Sequence, residues 1–251
     1  MKKTRWYPQW VLIANAALVW TISILLTIMF WLVMAAWALP ALLLDPQQRA
    51  SHALAAMWGR ALMRCHPGWR LEVTGRHHIH PARPYLLVAN HQSLLDIAVL
   101  YALRRQFKWV AKAELFSIPC LGWAMSLAGY IKLARGRHGS IRDTYEDAKR
   151  WLAKGMPVLF FPEGTRSYTG QLGPFKNGAF KLSLELRLPL VPIVICGTHG
   201  LLPRSGWVVN PIGRIRVVVL PPIDVSAYRS EENERLRDDV RRLMEQVLER
   251  H

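Results

Sequence analysis

Two short runs in this chain hold residues whose types and order could do chemistry. One is Phe161-Pro162-Glu163-Gly164-Thr165-Arg166-Ser167, reached through the apolar run Val158-Leu159-Phe160-Phe161. That run reads as a buried strand ended by a proline. Gly164 lets the backbone turn and present N–H groups, and Thr165 and Ser167 add hydroxyls. Arg166 offers a planar fork of donors for two phosphate oxygens. The run is therefore a candidate anion site; the plain alternative is a surface turn in which Arg166 pairs with Glu163.

The other run is Asn90-His91-Gln92-Ser93-Leu94-Leu95-Asp96, which follows Tyr85-Leu86-Leu87-Val88-Ala89 and precedes a helical pattern. His91 then sits on a strand-to-helix turn, with Asp96 in the first turns of the helix. A carboxylate so placed can accept the imidazole Nδ1–H and leave Nε2 free as a base. The alternative is an exposed loop histidine beside a helix-starting aspartate.

The elements that must position these runs alternate along the chain. Strands are expected at Leu71 to Thr74, Tyr85 to Ala89, Lys108 to Lys112, Tyr130 to Leu133, Val158 to Phe161, Leu190 to Ile195 and Ile215 to Leu220. Helical patterns fill about 93–105, 119–128, 140–154, 176–187 and 230–249. The last should pack through Leu236, Val240, Leu243 and Val247. The expected fold is α/β, a mixed, largely parallel sheet covered by helices, with an N-terminal apolar membrane-associated helical segment. Residues 1–66 would form the anchor and an interfacial helix, and residues 67–251 the catalytic domain. The Gly- and Pro-rich stretch from Gly197 to Gly213 reads as the longest irregular piece.

In this order the two runs resemble the motifs of the glycerolipid acyltransferase family, and within it those of the bacterial 1-acylglycerol-3-phosphate acyltransferases. Trp109-Val110-Ala111-Lys112-Ala113-Glu114-Leu115 is similar to the family's lysine-bearing stretch. Gly129-Tyr130-Ile131-Lys132-Leu133-Ala134-Arg135 is similar to its block ending in arginine, and Val191-Pro192-Ile193-Val194 to its last block. The likeness runs over about residues 70 to 222. One departure is Ala134, where the family often has aspartate before the arginine. The resemblance implies transfer of a fatty acyl group from a thioester, acyl-CoA or acyl carrier protein, to the sn-2 hydroxyl of 1-acylglycerol 3-phosphate. Glycerol 3-phosphate or another lysolipid is the alternative acceptor.

That reaction needs a base on the attacking hydroxyl, which makes His91 and Asp96 the catalytic pair. Arg166 with the Gly164 turn and Thr165 would hold the acceptor phosphate, and Glu163 would orient Arg166 or a glycerol hydroxyl. Lys112 and Arg135 join the phosphate set on the resemblance alone. No acyl-enzyme is required, and no Gly-x-Ser-x-Gly elbow occurs. The apolar segment from Leu115 to Met125 is either a slot for the acyl chain or ordinary core. Two other classes stay open: a membrane protein that captures phospholipid without chemistry, and an esterase or phosphatase using His91 on water.

Composition narrows the partners. Cys65, Cys120 and Cys196 are scattered without metal spacing, so neither a disulfide framework nor a zinc site is expected. The resemblance implies no bound cofactor, only the acyl-CoA or acyl carrier protein co-substrate. Thirty-three Lys and Arg against seventeen Asp and Glu leave a net charge of +16, which attracts polyanions. The arginines are spread along the chain without aromatic platforms or a reading helix, so membrane lipid is favoured over nucleic acid.

From Trp10 to Leu44 there is no charge in 35 positions, about 52 Å as helix and longer than the roughly 30 Å hydrocarbon core. It also exceeds the apolar part of a secretory signal. Lys2, Lys3 and Arg5 precede it, and Arg49, Arg60 and Arg64 follow it. The positive-inside rule wants both flanks in the cytoplasm, which favours a re-entrant segment broken at Pro40 and Asp45-Pro46 over a single crossing. A bacterial inner membrane with the catalytic domain facing the cytoplasm is expected. Leu54, Met57, Trp58, Ala61 and Leu62 share one helical face, with Arg49, His52, Arg60 and Arg64 available for the other. Such a helix either lies in the headgroup plane or packs on the domain.

Overall fold

The computed structural model describes residues 7–81, 83–134 and 138–250. Helix α1 (Gln9–Leu44) is a single apolar helix, long enough by composition and length to associate with a membrane. Pro40 lies inside it rather than breaking it. Proline already has a helical φ, so one backbone hydrogen bond near the helix end is the main loss. The break comes at Asp45, which precedes Pro46 and leaves the helical region at φ −130°, ψ 57°.

Asp45 then caps helix α2 (Arg49–Arg64), accepting from the N–H of Arg49 at 2.6 Å and the N–H and hydroxyl of Ser51 at 2.9 and 3.0 Å. α2 folds back between α1 and the body. Trp58 Nε1 donates to Thr27 Oγ1 on α1 at 3.1 Å, while Ser51, His52, Ala56 and Gly59 are buried against the domain. His52 therefore does not belong to a polar outer face. It stands among the rings of Tyr101, Phe107 and Tyr130. The stripe that packs is built of small residues, because Gly59 leaves no room for a side chain beside Tyr101.

All seven expected runs are strands: β1 (Trp69–Thr74), β2 (Leu86–Ala89), β3 (Lys108–Lys112), β4 (Ile131–Leu133), β5 (Val158–Phe160), β6 (Leu190–Cys196) and β7 (Gly213–Val219). They form one sheet in the order β1-β7-β6-β2-β5-β3-β4, parallel at every neighbouring pair except β6 with β7. The sheet is mixed and largely parallel. Its inner strands β2 and β6 are buried throughout, as a sheet covered on both faces requires.

Helices α3 (Leu95–Leu100), α4 (Leu121–Leu127), α5 (His138–Ala153), α6 (Gly178–Leu186), α7 (Thr198–Leu201) and α8 (Asn233–Glu249) complete the chain. The pattern expected over 93–105 divides into α3 and a 3-10 turn, Tyr101–Leu103, that stops where Arg104 takes φ 51°. α7 lies inside the stretch expected to be irregular. One core layer gathers Tyr101, Phe107, Trp109 and Tyr130 with Ala56 of α2; the other gathers Leu152, Phe180, Leu236, Val240 and Met244. In α8 the buried line is thus 236, 240 and 244, at i, i+4 and i+8, and Leu243 is 42% exposed.

Candidate active site

β2 and β5 are neighbours and run parallel, with Leu86 opposite Val158 and Val88 opposite Phe160. Their C-terminal ends therefore deliver His91 and the Phe161–Ser167 run to the same edge, although some 70 residues separate them in sequence. His91 Nδ1 lies 2.8 Å from Asp96 Oδ2. An ionised carboxylate only accepts, so the proton is on Nδ1 and Nε2 presents its lone pair. The ring stacks on Phe161 at 4.1 Å between centroids and stays 16% exposed.

Asp96 is fully buried and saturated. Its Oδ2 also accepts from the N–H groups of Gln92 and Ser93 at 2.7 and 2.8 Å, and its Oδ1 from the Thr198 hydroxyl at 2.6 Å. The carboxylate thus closes the turn that carries His91 before α3 begins.

Glu163 departs from expectation. Its Oε1 accepts from the His91 N–H at 2.8 Å and its Oε2 from the Gly173 N–H at 2.9 Å. Burial pushes this carboxyl up, against the lowering pull of those two N–H groups. Both of these contacts are to backbone, so the carboxylate ties the polypeptide around His91, and among the described residues it makes no ion pair with Arg166. On the other side of the residue, the Ser167 N–H donates to the His91 carbonyl at 2.7 Å. The side chain of Asn90 bridges to Ile195 on β6, donating to its carbonyl at 2.9 Å and accepting from its N–H at 2.7 Å.

Gly164 takes φ +68°, a left-handed value suited to glycine, and donates its N–H to the Phe161 carbonyl at 2.9 Å. Thr165 and Arg166 are half-buried on this turn. Among the described residues Glu163 and Arg166 form no ion pair, which removes the plain surface-turn alternative. The Arg166 carbonyl accepts from Arg204 Nη1 at 2.5 Å. Lys112 is exposed at the C-terminal end of β3, beside β5 on the same sheet edge. Arg135 lies outside the described residues. No group of three or more His, Cys, Asp or Glu is placed to hold a metal among the described residues.

Sequence reasoning missed Thr198 and Arg204. Both follow β6, and nothing in their local sequence marks them. Only the pairing of β2 with β6 brings Thr198 to Asp96. An apolar cleft between α1, α2 and α4 is lined by Trp31, Met34, Trp58, Cys120, Leu121 and Met125, among others. Part of the Leu115–Met125 segment therefore faces a cleft and is not all closed core.

Residues 70–196 match the family model described as Acyltransferase. The chain is 38% identical over 184 residues, 72% of its length, to the chloroplastic 1-acyl-sn-glycerol-3-phosphate acyltransferase of Arabidopsis thaliana, covering 51% of that protein. It is 37% identical over 179 residues, 70% of its length, to the alpha 1-acyl-sn-glycerol-3-phosphate acyltransferase of Mus musculus, covering 63%. The chain thus spans between half and two thirds of these curated relatives. The crystal structure of the 1-acyl-sn-glycerophosphate acyltransferase from Thermotoga maritima superposes with a TM-score of 0.71 at 25% identity. That likeness covers 92% of this chain and 97% of that one.

Proposed function

This chain belongs to the acyltransferase family, and we propose that it moves a fatty acyl group from a thioester to the sn-2 hydroxyl of 1-acylglycerol 3-phosphate, giving phosphatidic acid. The observation that carries the reading is the His91–Asp96 pair beside the left-handed Gly164 turn, whose Arg166 makes no ion pair among the described residues. Similarity to relatives named for this reaction supports the acceptor.

His91 Nε2 takes the proton of the acceptor hydroxyl as its oxygen attacks the thioester carbonyl. Asp96 fixes the tautomer and stabilises the imidazolium that forms. The tetrahedral intermediate collapses by breaking the C–S bond, and the imidazolium returns its proton to the departing thiolate. The acceptor gains the acyl group and the donor leaves as a thiol. A covalent enzyme intermediate is unnecessary because the thioester is already activated. Cys196, at the end of β6, is a poor nucleophile since burial pushes its thiol up to about 11.

Gly164, Thr165 and Arg166 hold the acceptor phosphate, with Lys112 and Arg135 as further cations. The cleft between α1, α2 and α4 takes an acyl chain. The donor is acyl-CoA or acyl carrier protein, either of which suits a surface carrying +16.

The site works at a membrane. The body leans on α1 from Asn15, which donates to the Val209 carbonyl, through Trp20 and Thr27 to Trp31 and Met34. Asn15 to Met34 is about 29 Å of helix, nearly the roughly 30 Å of a hydrocarbon core. An upright α1 would draw the polar body into the bilayer, so α1 lies inclined along one face with both flanks on the cytoplasmic side of a bacterial inner membrane.

The test is a product assay in which the purified full chain receives labelled acyl thioester with a panel of lysolipids and glycerol 3-phosphate. Phosphatidic acid from 1-acylglycerol 3-phosphate is expected, with turnover reduced about 10²–10⁴-fold in His91→Ala. Preference for glycerol 3-phosphate would overturn the acceptor, and near-normal turnover by folded His91→Ala would overturn the mechanism.

A further inference from the structure

We propose that Arg204 is a second cation of the acceptor-phosphate site and selects phosphomonoester headgroups over phosphodiesters; this rests on the phosphorylated acceptor proposed above. The Arg204 guanidinium lies over the Tyr168 ring, 3.7 Å from its centroid, and Nη1 donates to the Arg166 carbonyl at 2.5 Å. Between these two partners, Ser167 donates its N–H to the His91 carbonyl at 2.7 Å. Arg204 is therefore fastened to the turn that flanks the base, although 38 residues separate it from Arg166.

Charge balance says what this arrangement awaits. Among the described residues, neither Arg166 nor Arg204 makes an ion pair with a carboxylate. The two carboxylates built into the site point their oxygens at other groups. Glu163 is occupied by the N–H groups of His91 and Gly173, and Asp96 by His91, Gln92, Ser93 and Thr198. A ring face and a neutral carbonyl position the Arg204 guanidinium without neutralising it. Both arginines are half-buried, where an unneutralised charge is poorly screened. An external anion would supply the missing countercharge. A phosphomonoester, with a second pKa of about 6, brings two charges and three oxygens for two forks. A phosphodiester brings one charge and fills an edge with its substituent.

The test measures binding rather than turnover, using the full chain in neutral detergent micelles. The probes are 2-deoxy-lysophosphatidate, which lacks the reacting hydroxyl, and its phosphate methyl ester. Wild type should prefer the monoester, and Arg204→Gln should reduce that preference about tenfold or more. Glutamine removes the charge while keeping a polar N–H donor at the position. Tyr168→Leu, at an exposed ring, should give a smaller loss of the same kind by unpinning Arg204. Unchanged preference in Arg204→Gln, or equal weakening of both probes, would overturn the proposal. Should Arg204→Gln not fold, unchanged preference in Tyr168→Leu does so. Turnover of lysophosphatidate by wild type is followed in parallel. Monoester-selective binding without turnover would overturn the acyl-transfer reading and leave Arg204 in place.

Discussion

The imidazole of His91 is held through its ring, its N–H and its carbonyl, and each hold uses a different partner. Asp96 takes Nδ1–H, Glu163 takes the backbone N–H, and Ser167 supplies an N–H to the carbonyl. Thr198 acts one step further out, as the donor to Asp96 Oδ1. Thr198→Val keeps the shape and strands that oxygen, so a stability loss of about 1–3 kcal/mol and a fall in kcat of about tenfold are expected. Thr198→Ser should restore both, and a Ser variant no better than Val would remove the hydroxyl from the account. Glu163→Gln sets a carboxamide NH₂ against one of two backbone N–H donors. It should lower kcat about tenfold or more and leave the acceptor KM nearly unchanged. A rise confined to acceptor KM would instead place Glu163 on the substrate.

At the scale of elements, α2 is tied to the site through a line of aromatic residues. Trp109 Nε1–H donates to the Tyr101 hydroxyl, which meets the Tyr130 hydroxyl at 2.8 Å, and Tyr130 meets His52 Nδ1 at 3.1 Å. His52 Nε2 closes the line on the Arg105 carbonyl at 3.2 Å. Every donor finds an acceptor only if His52 is neutral with its proton on Nε2. Burial, reinforced by the Lys108 charge, lowers its pKa to about 3. Trp109 in turn stacks on Phe161, the ring beneath His91. Since the folded pKa lies below the ordinary value near 6.5, the unfolded chain binds the extra proton between about pH 6.5 and pH 3. Stability therefore falls as pH drops through that window. Thermal melts in detergent should lose about 2 kcal/mol on going from pH 7.5 to pH 5. His52→Gln should flatten that dependence, and a wild-type-like acid slope in the variant would exclude His52 as its source.

For the whole molecule, most of the exposed large hydrophobic residues among those described lie on α1, with Leu18, Ile24, Leu25, Leu32 and Leu42–Leu44 all more than half exposed. Trp20 and Asn15 on its other side bond to the carbonyls of Trp207 and Val209, which ties the helix to the body. In the inclined placement proposed above, lipid covers the outer face and the body stays in the headgroups. The protein should resist salt and alkaline washes and yield to detergent. Single cysteines at Gln9 and Gln47, in a background lacking Cys65, Cys120 and Cys196, should be labelled by an impermeant reagent from the same side. Labelling from opposite sides would establish a full crossing and overturn the inclined placement. In this placement a lysolipid reaches His91 without full extraction, which would otherwise cost about 0.8 kcal/mol per CH₂.

Periodicity and punctuation in the sequence determined the seven strands, most of the helices and the two motifs at strand ends, because each depends on neighbours within a few residues. The same locality explains why His91 and Asp96 were legible: five residues along one turn bring them together. What tertiary structure alone decided came from strand order. With β2 between β5 and β6, Glu163 meets the His91 backbone and Thr198 meets Asp96 across about 70 and 100 residues of chain. Glu163 looked like a partner for Arg166 or a glycerol hydroxyl, and in the fold its oxygens accept from the backbone of His91 and Gly173. Pro40 looked like a break until α1 ran through it, and His52 looked polar-facing until the small stripe at Ala56 and Gly59 turned it inward. For Glu163 and His52 the deciding partner lies on another element, and a side chain's local pattern carries no record of which one.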